Sequence, residues 1–589
     1  MAPTGGFAAT MKHNITMTLP SFASYEYTFE VVDPTDLADL DGTSSTAVVR
    51  SYKSNDGGVT KTPVSWVVDG YYDTEAHAAA GGSTGSLNPG DYTWLTSTIA
   101  AASPLEAIQT VDFSYSTTPV TGLTDLADEI NRNIAANVPA EGAPGSTAAL
   151  AINLANGSHG TGTYITESAN SYIVNGPGWY KIPLVMGNGV KSNSVDVTTP
   201  YHYTGGGASG TGSAYAGTFY DYTATPITTT TTPILSKPSS FEVKWNDSAV
   251  TISNLALCSD SEASSVSNVT KKVYWLTFQV AASGQGNAII AVKDGSENVM
   301  WSYHIWVTDY TSSMDGSTTM SSLLGWITTE GTYSKLPARN VYLRVSQDDS
   351  GSDRSPLVLS IEVPAGPVSA TVVSNGYAPY YQWGRKDPIR DRRTTFSSSV
   401  SDYVCLSYGT QGYSSYQVQI AIQNPDMFIQ NKFGARAWWG GPNGTNNSRN
   451  IWCARNISTQ NTLSSVNKTI YDPSQAGYSV PYPNCITSSV LSGIDRKASQ
   501  GYRENNNDSA NRTTPKENDG QVVSVTGLYL WTAEPNTSQN GSTSYQDGTW
   551  NYNIAQGHAL NILPMKDSSY DPRDDGNEGA KGPNIIWVD

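Results

Sequence analysis

Helical periodicity is nearly missing from this sequence, and that constrains its fold more than any other feature. Short runs of alternating or β-branched residues recur instead, each bounded by clusters of Gly, Asn, Asp and Pro. They cover Tyr25–Val32, Ser65–Val68, Val273–Val280, Ala288–Val292, Val341–Val345 and Leu357–Val363. Short strands at such spacing favour stacked antiparallel sheets, as in β-sandwiches, over βαβ units. One exception, Thr124–Ala136, carries Leu126, Ile130 and Ile134 at helical spacing and predicts a short surface helix between strands.

A chain of 589 residues needs more than one core, since single cores stop growing near about 250–300 residues. Only 14% of residues are charged, against roughly 25% in ordinary soluble domains. Ser, Thr, Asn and 53 Gly fill the gap, while 15 Trp and 35 Tyr argue against a disordered chain. That is the balance of a secreted all-β protein. With 51 acidic against 34 basic residues, the net charge of -17 opposes nucleic acid and anionic membranes. No apolar run approaches the roughly 18 residues of a membrane span. Met1-Ala-Pro-Thr-Gly-Gly has neither the basic nor the apolar part of a signal peptide, which fits a mature form carrying an added Met. Cys258, Cys405, Cys453 and Cys485 lack metal-ligand spacing. One or two bridges, most plausibly drawing on Cys405, Cys453 and Cys485, or isolated buried thiols are the two readings.

Punctuation suggests the joints. Gly205–Gly212 (GGGASGTG) and Ile227–Pro233 (ITTTTTP) read as flexible or extended segments, and Val363-Pro-Ala-Gly-Pro367 reads as a sharper boundary. The expected division is an N-terminal β-sandwich domain at 1–165, a second at 166–370 and an aromatic-rich domain at 371–589.

Three stretches stand out. Glu167–Asn188 reads ESANSYIVNGPGWYKIPLVMGN, and Gly286–Tyr310 reads GNAIIAVKDGSENVMWSYHIWVTDY. The third is Ala378–Pro388, APYYQWGRKDP, followed by Lys468–Pro481, KTIYDPSQAGYSVP. In that order they resemble the fimbrillin-superfamily cell-surface proteins of Bacteroidales-type bacteria, above all the large subunits of type V pilus tips. The resemblance spans roughly residues 165–570. It implies transthyretin-like fimbrillin sandwiches, export to the surface of a Gram-negative bacterium, and docking to pilin subunits by β-strand complementation, with a lipid anchor on the precursor compatible with it. Ser474 stands where many such proteins carry Cys, which puts any family disulfide there in doubt.

The residues of the first two stretches themselves predict hairpins. Ser171–Val174 and Trp179–Val185 flank Asn175-Gly-Pro-Gly178, while Ala288–Val292 and Val299–Thr308 flank Asp294-Gly295-Ser296. In the latter, Trp301, Tyr303, Ile305 and Val307 share one face; Ser302, His304, Trp306 and Thr308 share the other. The third stretch opens a region of many aromatics, few periodic runs and Gly/Asn-rich loops, which resembles surface domains of C-type-lectin-like fold.

Tyr outnumbers Phe by 35 to 10. Phe would serve a core equally well, whereas Tyr, Ser, Gly and Asn together suit binding loops. Trp and Tyr rings can stack on sugars, and Asn can pair with their hydroxyls. The candidate ligand-binding residues are therefore Tyr529, Trp531, Tyr545, Trp550, Asn551, Tyr552, Asn553, Trp438 and Trp439, with core anchoring the competing reading for Trp531 and Trp550. The acidic segments Asp33–Asp41 and Asp567–Asp575 depart from the calcium-loop pattern and read as solvated turns. Arg385–Arg393, with Asp387 and Asp391 inside it, reads as a mixed-charge loop. His304 could be a general base, but no nucleophile signature accompanies it, and it reads as a strand residue.

No G-x-S-x-G, P-loop, H-E-x-x-H or dinucleotide fingerprint occurs. The sequence reading is thus a non-enzymatic, cofactor-free pilus-tip or pilus-associated adhesin that contacts host or microbial glycans or proteins through its C-terminal loops. Its alternative is a non-adhesive structural or anchor subunit; a secreted glycan hydrolase and a phage receptor-binding protein stand further off. A fragment of residues 371–589 is expected to fold alone.

Overall fold

The computed structural model is mostly β-strand, 41% against 12% helix. The structure describes residues 25–32, 44–87 except 73, 95–97, 108–115, 120–195 except 158 and 159, 219–225, 227, 233–312, 315, 318–335, 340–347, 357–362, 368–370, 375–389, 403–406, 415–431, 452–453, 466, 468–492, 494, 502–503, 522–523, 528–535, 541–546, 549–555 and 558–567. Each of the six β-rich runs forms a strand, as in Glu26–Val32, Trp66–Tyr72 and Trp275–Ala282. The predicted helix forms over Leu126–Ala136 and buries Leu126, Ile130 and Ile134, the three residues that share its apolar face.

The chain divides into two compact units. One comprises residues 1–122 and 334–369, the other 123–333 and 370–589. The expected joint near 370 coincides with a crossing between units, whereas position 165 falls inside the second unit. Residues 166–333 and 370–589 thus belong to one unit rather than two domains.

In the first unit, one sheet orders Glu26–Val32, Ser44–Ser54, Ile108–Tyr115 and Leu95–Ser97, all antiparallel. A second orders Leu357–Glu362, Asn340–Gln347, Trp66–Tyr72 and Ser86–Leu87. Trp66 is fully buried, with Phe29 edge-on at 6.4 Å. Arg344 closes the Glu75–Ala80 helix by donating to the carbonyls of Ala78 (2.7 Å) and Ala79 (2.6 Å), where a cation is favoured.

The second unit begins with two four-stranded sheets. The first orders Ser171–Val174, Val299–Val307, Gly286–Lys293 and Ser240–Asn246; the second orders Val250–Leu257, Trp275–Ala282, Gly178–Pro183 and Ile152–Asn153. The hairpin expected at 171–185 does not form. Ser171–Val174 runs parallel to Val299–Val307, and Gly178–Pro183 pairs with Trp275–Ala282 in the other sheet. Asn175–Pro177 is therefore a corner between sheets. Gly176 packs there against the Asn137 carbonyl, leaving no space for a Cβ. Turn chemistry announced the reversal, but the pairing was decided by where each strand could bury its side chains. The second hairpin does form: Gly286–Lys293 pairs antiparallel with Val299–Val307, and the Asp294 carboxylate accepts from the amides of Ser296 (2.8 Å) and Asn298 (2.9 Å).

All nine residues of Val299–Val307 are buried. A strand buried on both faces needs a covering layer on each side, and residues 370–589 supply one. Among its elements are the Ser415–Gln423 helix, which lies against Val299–Val307, and a small sheet of Tyr381–Gln382, Ala559–Leu560, Tyr502–Arg503 and Val522–Val523. A three-stranded meander of Tyr529–Pro535, Gly541–Gln546 and Thr549–Ala555 follows. Among the described residues no helix is long and apolar enough to cross a membrane.

Candidate functional site

The sequence stretches that stood out converge on one buried polar seam in the second unit. Asn170 donates through Nδ2 to the carbonyls of Ile470 (2.6 Å) and Asp472 (2.8 Å), and its Oδ1 accepts from Trp301 Nε1 at 2.9 Å. Ser171 Oγ donates to the Pro473 carbonyl. Glu167 Oε2 accepts from the Gly477 amide at 3.1 Å, and Asn188 Nδ2 donates to the Lys468 carbonyl at 3.1 Å. The ESANSY segment thus receives the backbone of the loop that carries YDPSQAGY. Gly187, at φ 47°, presses on Ile470, where a Cβ would strike its carbonyl. Asp472 holds the loop from within, accepting from the amides of Ser474 (2.8 Å) and Val480 (2.9 Å). Burial nonetheless raises the Asp472 carboxyl above its ordinary range, with the Lys468 charge opposing.

The WGRKDP segment closes the other end. Lys386 Nζ donates to the Ser302 carbonyl (3.0 Å), to Ser302 Oγ, and to both carboxylate oxygens of Asp387 (2.7 and 2.9 Å). Ser302 Oγ in turn donates to Asp387 Oδ1 at 2.7 Å. The ammonium lies 4.6 Å from the Trp301 ring centroid, a cation–π distance. Arg385 donates to the carbonyls of Asn424 (2.8 Å), Pro425 (3.3 Å) and Met427. Desolvation pushes Lys386 down to about 8 and Arg385 down to about 10, with Asp387 opposing both. Arg385–Asp387 is the mixed-charge loop expected, lying outside helix and strand, but all three of its residues are buried. The reason is that each charge finds a partner, which alone makes burial tolerable.

His304 links the two ends. Its Nδ1 lies 3.0 Å from Ser171 Oγ and its Nε2 2.9 Å from Asn287 Oδ1. Asn287 Nδ2 donates to Gly325 O and Asp247 Oδ2, which leaves its Oδ1 to face the ring. Burial pushes His304 down to about 3. It is 1% exposed, so it is a structural residue and not a base open to a substrate.

The seam's hydrogen bonds hold its segments together. A cavity lined by Arg385, Asp387, Val418, Ile422 and Tyr471 has room for about one water molecule, far below the roughly 300–1,000 Å³ of small-molecule sites. No cluster of metal-ligating side chains occurs among the described residues. Cys258 and Cys485 are free thiols.

The nine candidate binding residues fall into three groups. Tyr529 and Trp531 are buried, and Trp531 donates through Nε1 to the Tyr381 carbonyl at 2.7 Å. They anchor the core and are closed to a ligand, which corrects their reading as binding residues. Tyr545, Trp550, Asn551, Tyr552 and Asn553 come together on the hairpin of Gly541–Gln546 and Thr549–Ala555, where Tyr545 is in register with Trp550, and Ser544 with Asn551. Trp438 and Trp439 lie outside the described residues, as do Asp33–Asp41, Asp571–Asp575 and Gly205–Gly212. Sequence reasoning passed over Glu167, Lys468, Lys386, Asp387 and Asp472 as functional positions. A usable signal existed: in a chain only 14% charged, each distinctive stretch carries charges embedded among aromatic and small residues. No protein-family model, no curated protein and no solved structure matches this chain.

Proposed function

We propose that this protein is an extracellular, pilus-associated adhesin of a Gram-negative bacterial surface, with the paired four-stranded sheets acting as β-sandwich modules and residues 370–589 as a lectin-like layer. The observation that carries the reading is the 541–555 hairpin, which gathers Tyr545, Trp550, Tyr552, Asn551, Asn553 and Ser544 on two short strands. Such residues suit sugar stacking and hydroxyl pairing at low conformational cost. Docking to a pilin by strand addition needs an open edge. Val250–Leu257 supports this, since it ends its sheet among the described residues.

The test is binding of the full chain to a broad array of host and microbial glycans, beside the double variant Tyr545→Ala/Tyr552→Ala. Signal from the wild type that the variant loses supports the adhesin. The burial of Tyr529 and Trp531 favours the second reading, a non-adhesive structural subunit. That subunit would co-purify with pili and leave the array and a panel of surface proteins silent.

A further inference from the structure

We propose that Lys468 and Glu167 condense into an intramolecular side-chain amide, a covalent cross-link between the two halves of the seam. Their side chains are each 3% exposed, and Nζ stands 3.6 Å from Oε1, in contact but beyond hydrogen-bond length. Both groups are held. The Gly477 amide fixes Oε2, and the carbonyls of Ser474 (3.3 Å) and Gln475 (2.8 Å) fix Nζ. An amine and a carboxyl are thereby kept together, away from bulk solvent, by contacts that do not depend on their own attraction.

The energetics favour condensation at such a place. Burying two opposite charges costs several kcal/mol of desolvation for each ion, which a loose contact recovers poorly. An amide removes both charges. In the reaction the Nζ lone pair attacks Cδ of the protonated carboxyl, the Cδ–Oε1 bond breaks, and an Nζ proton leaves with that oxygen as water. Oε2 remains as the amide carbonyl, still accepting from Gly477. No oxidant or other reactant is needed. The Lys386–Asp387 pair offers a contrast: its Nζ is hydrogen-bonded to both carboxylate oxygens, and the residues are adjacent in sequence, so an amide would close a small strained ring.

Intact-mass measurement of the purified full chain decides the matter. The expected result is a mass lower than the sequence mass by one water. A tryptic digest would then yield a branched peptide joining the Glu167 and Lys468 segments, with no cleavage after Lys468. Lys468→Arg and Glu167→Leu should each restore the sequence mass. If either variant fails to fold, the wild-type digest still decides. A wild-type chain at sequence mass, with a linear peptide ending at Lys468, overturns the proposal.

Discussion

At the scale of single residues, the seam makes two measurable commitments. His304 holds about 3 in the folded protein against an ordinary 6.5, so between those values the unfolded chain binds the extra proton. Its contribution to stability is complete above pH 6.5 and is lost as pH falls toward 3, by about 1.4 kcal/mol per unit inside the window. Asp472 and Asp315, whose carboxyls are raised by burial, act in the opposite sense, favouring the fold at low pH. The diagnostic is therefore the difference between wild type and His304→Gln in urea melts. The wild type's advantage should be larger at pH 7 than at pH 4; equal gaps would refute the assignment of a buried neutral imidazole. Lys386→Met leaves Asp387 buried without its cation and should cost about 3–5 kcal/mol. Lys386→Met/Asp387→Leu, which removes both charges, should recover much of that loss in the same melts.

At the scale of elements, two turns of similar appearance did different things. Asp294-Gly-Ser closes a hairpin because its carboxylate satisfies amides within the turn. Asp294→Ala removes those acceptors and should cost about 1 kcal/mol, read as a small drop in urea midpoint with an unchanged slope. Asn175-Gly-Pro-Gly178 instead sends its flanking strands into separate sheets. Local sequence marked where the chain turns in both. It could not mark which partner each strand takes, because Ser171–Val174 finds its own in residues 304–307, far along the chain.

At the scale of the whole molecule, residues 370–589 and 123–333 share one unit, joined by buried side chains that bond to backbone, as Asn170 does, and to one another, as Ser302 and Asp387 do. A fragment of residues 371–589 would expose Lys386, Asp387 and Asp472 without Ser302, Asn170 or Glu167 to receive them. It should remain unfolded or aggregated, reversing the expectation drawn from sequence, whereas residues 123–589 keep the seam intact. Cooperative melting of the shorter fragment alone would show the seam to be dispensable.

The sequence by itself determined the β class, many of the strands though not the longest, Ser44–Ser54, and the Leu126–Ala136 helix, since these follow from short-range periodicity and turn chemistry. Tertiary structure alone decided that the Arg385–Asp387 loop is buried, that Trp531 and Tyr529 lie in the core, and that the distinctive stretches meet. The reason is physical. Core groups such as the Trp531 indole, which donates to the Tyr381 carbonyl, meet partners far along the chain, and no local pattern records those partners.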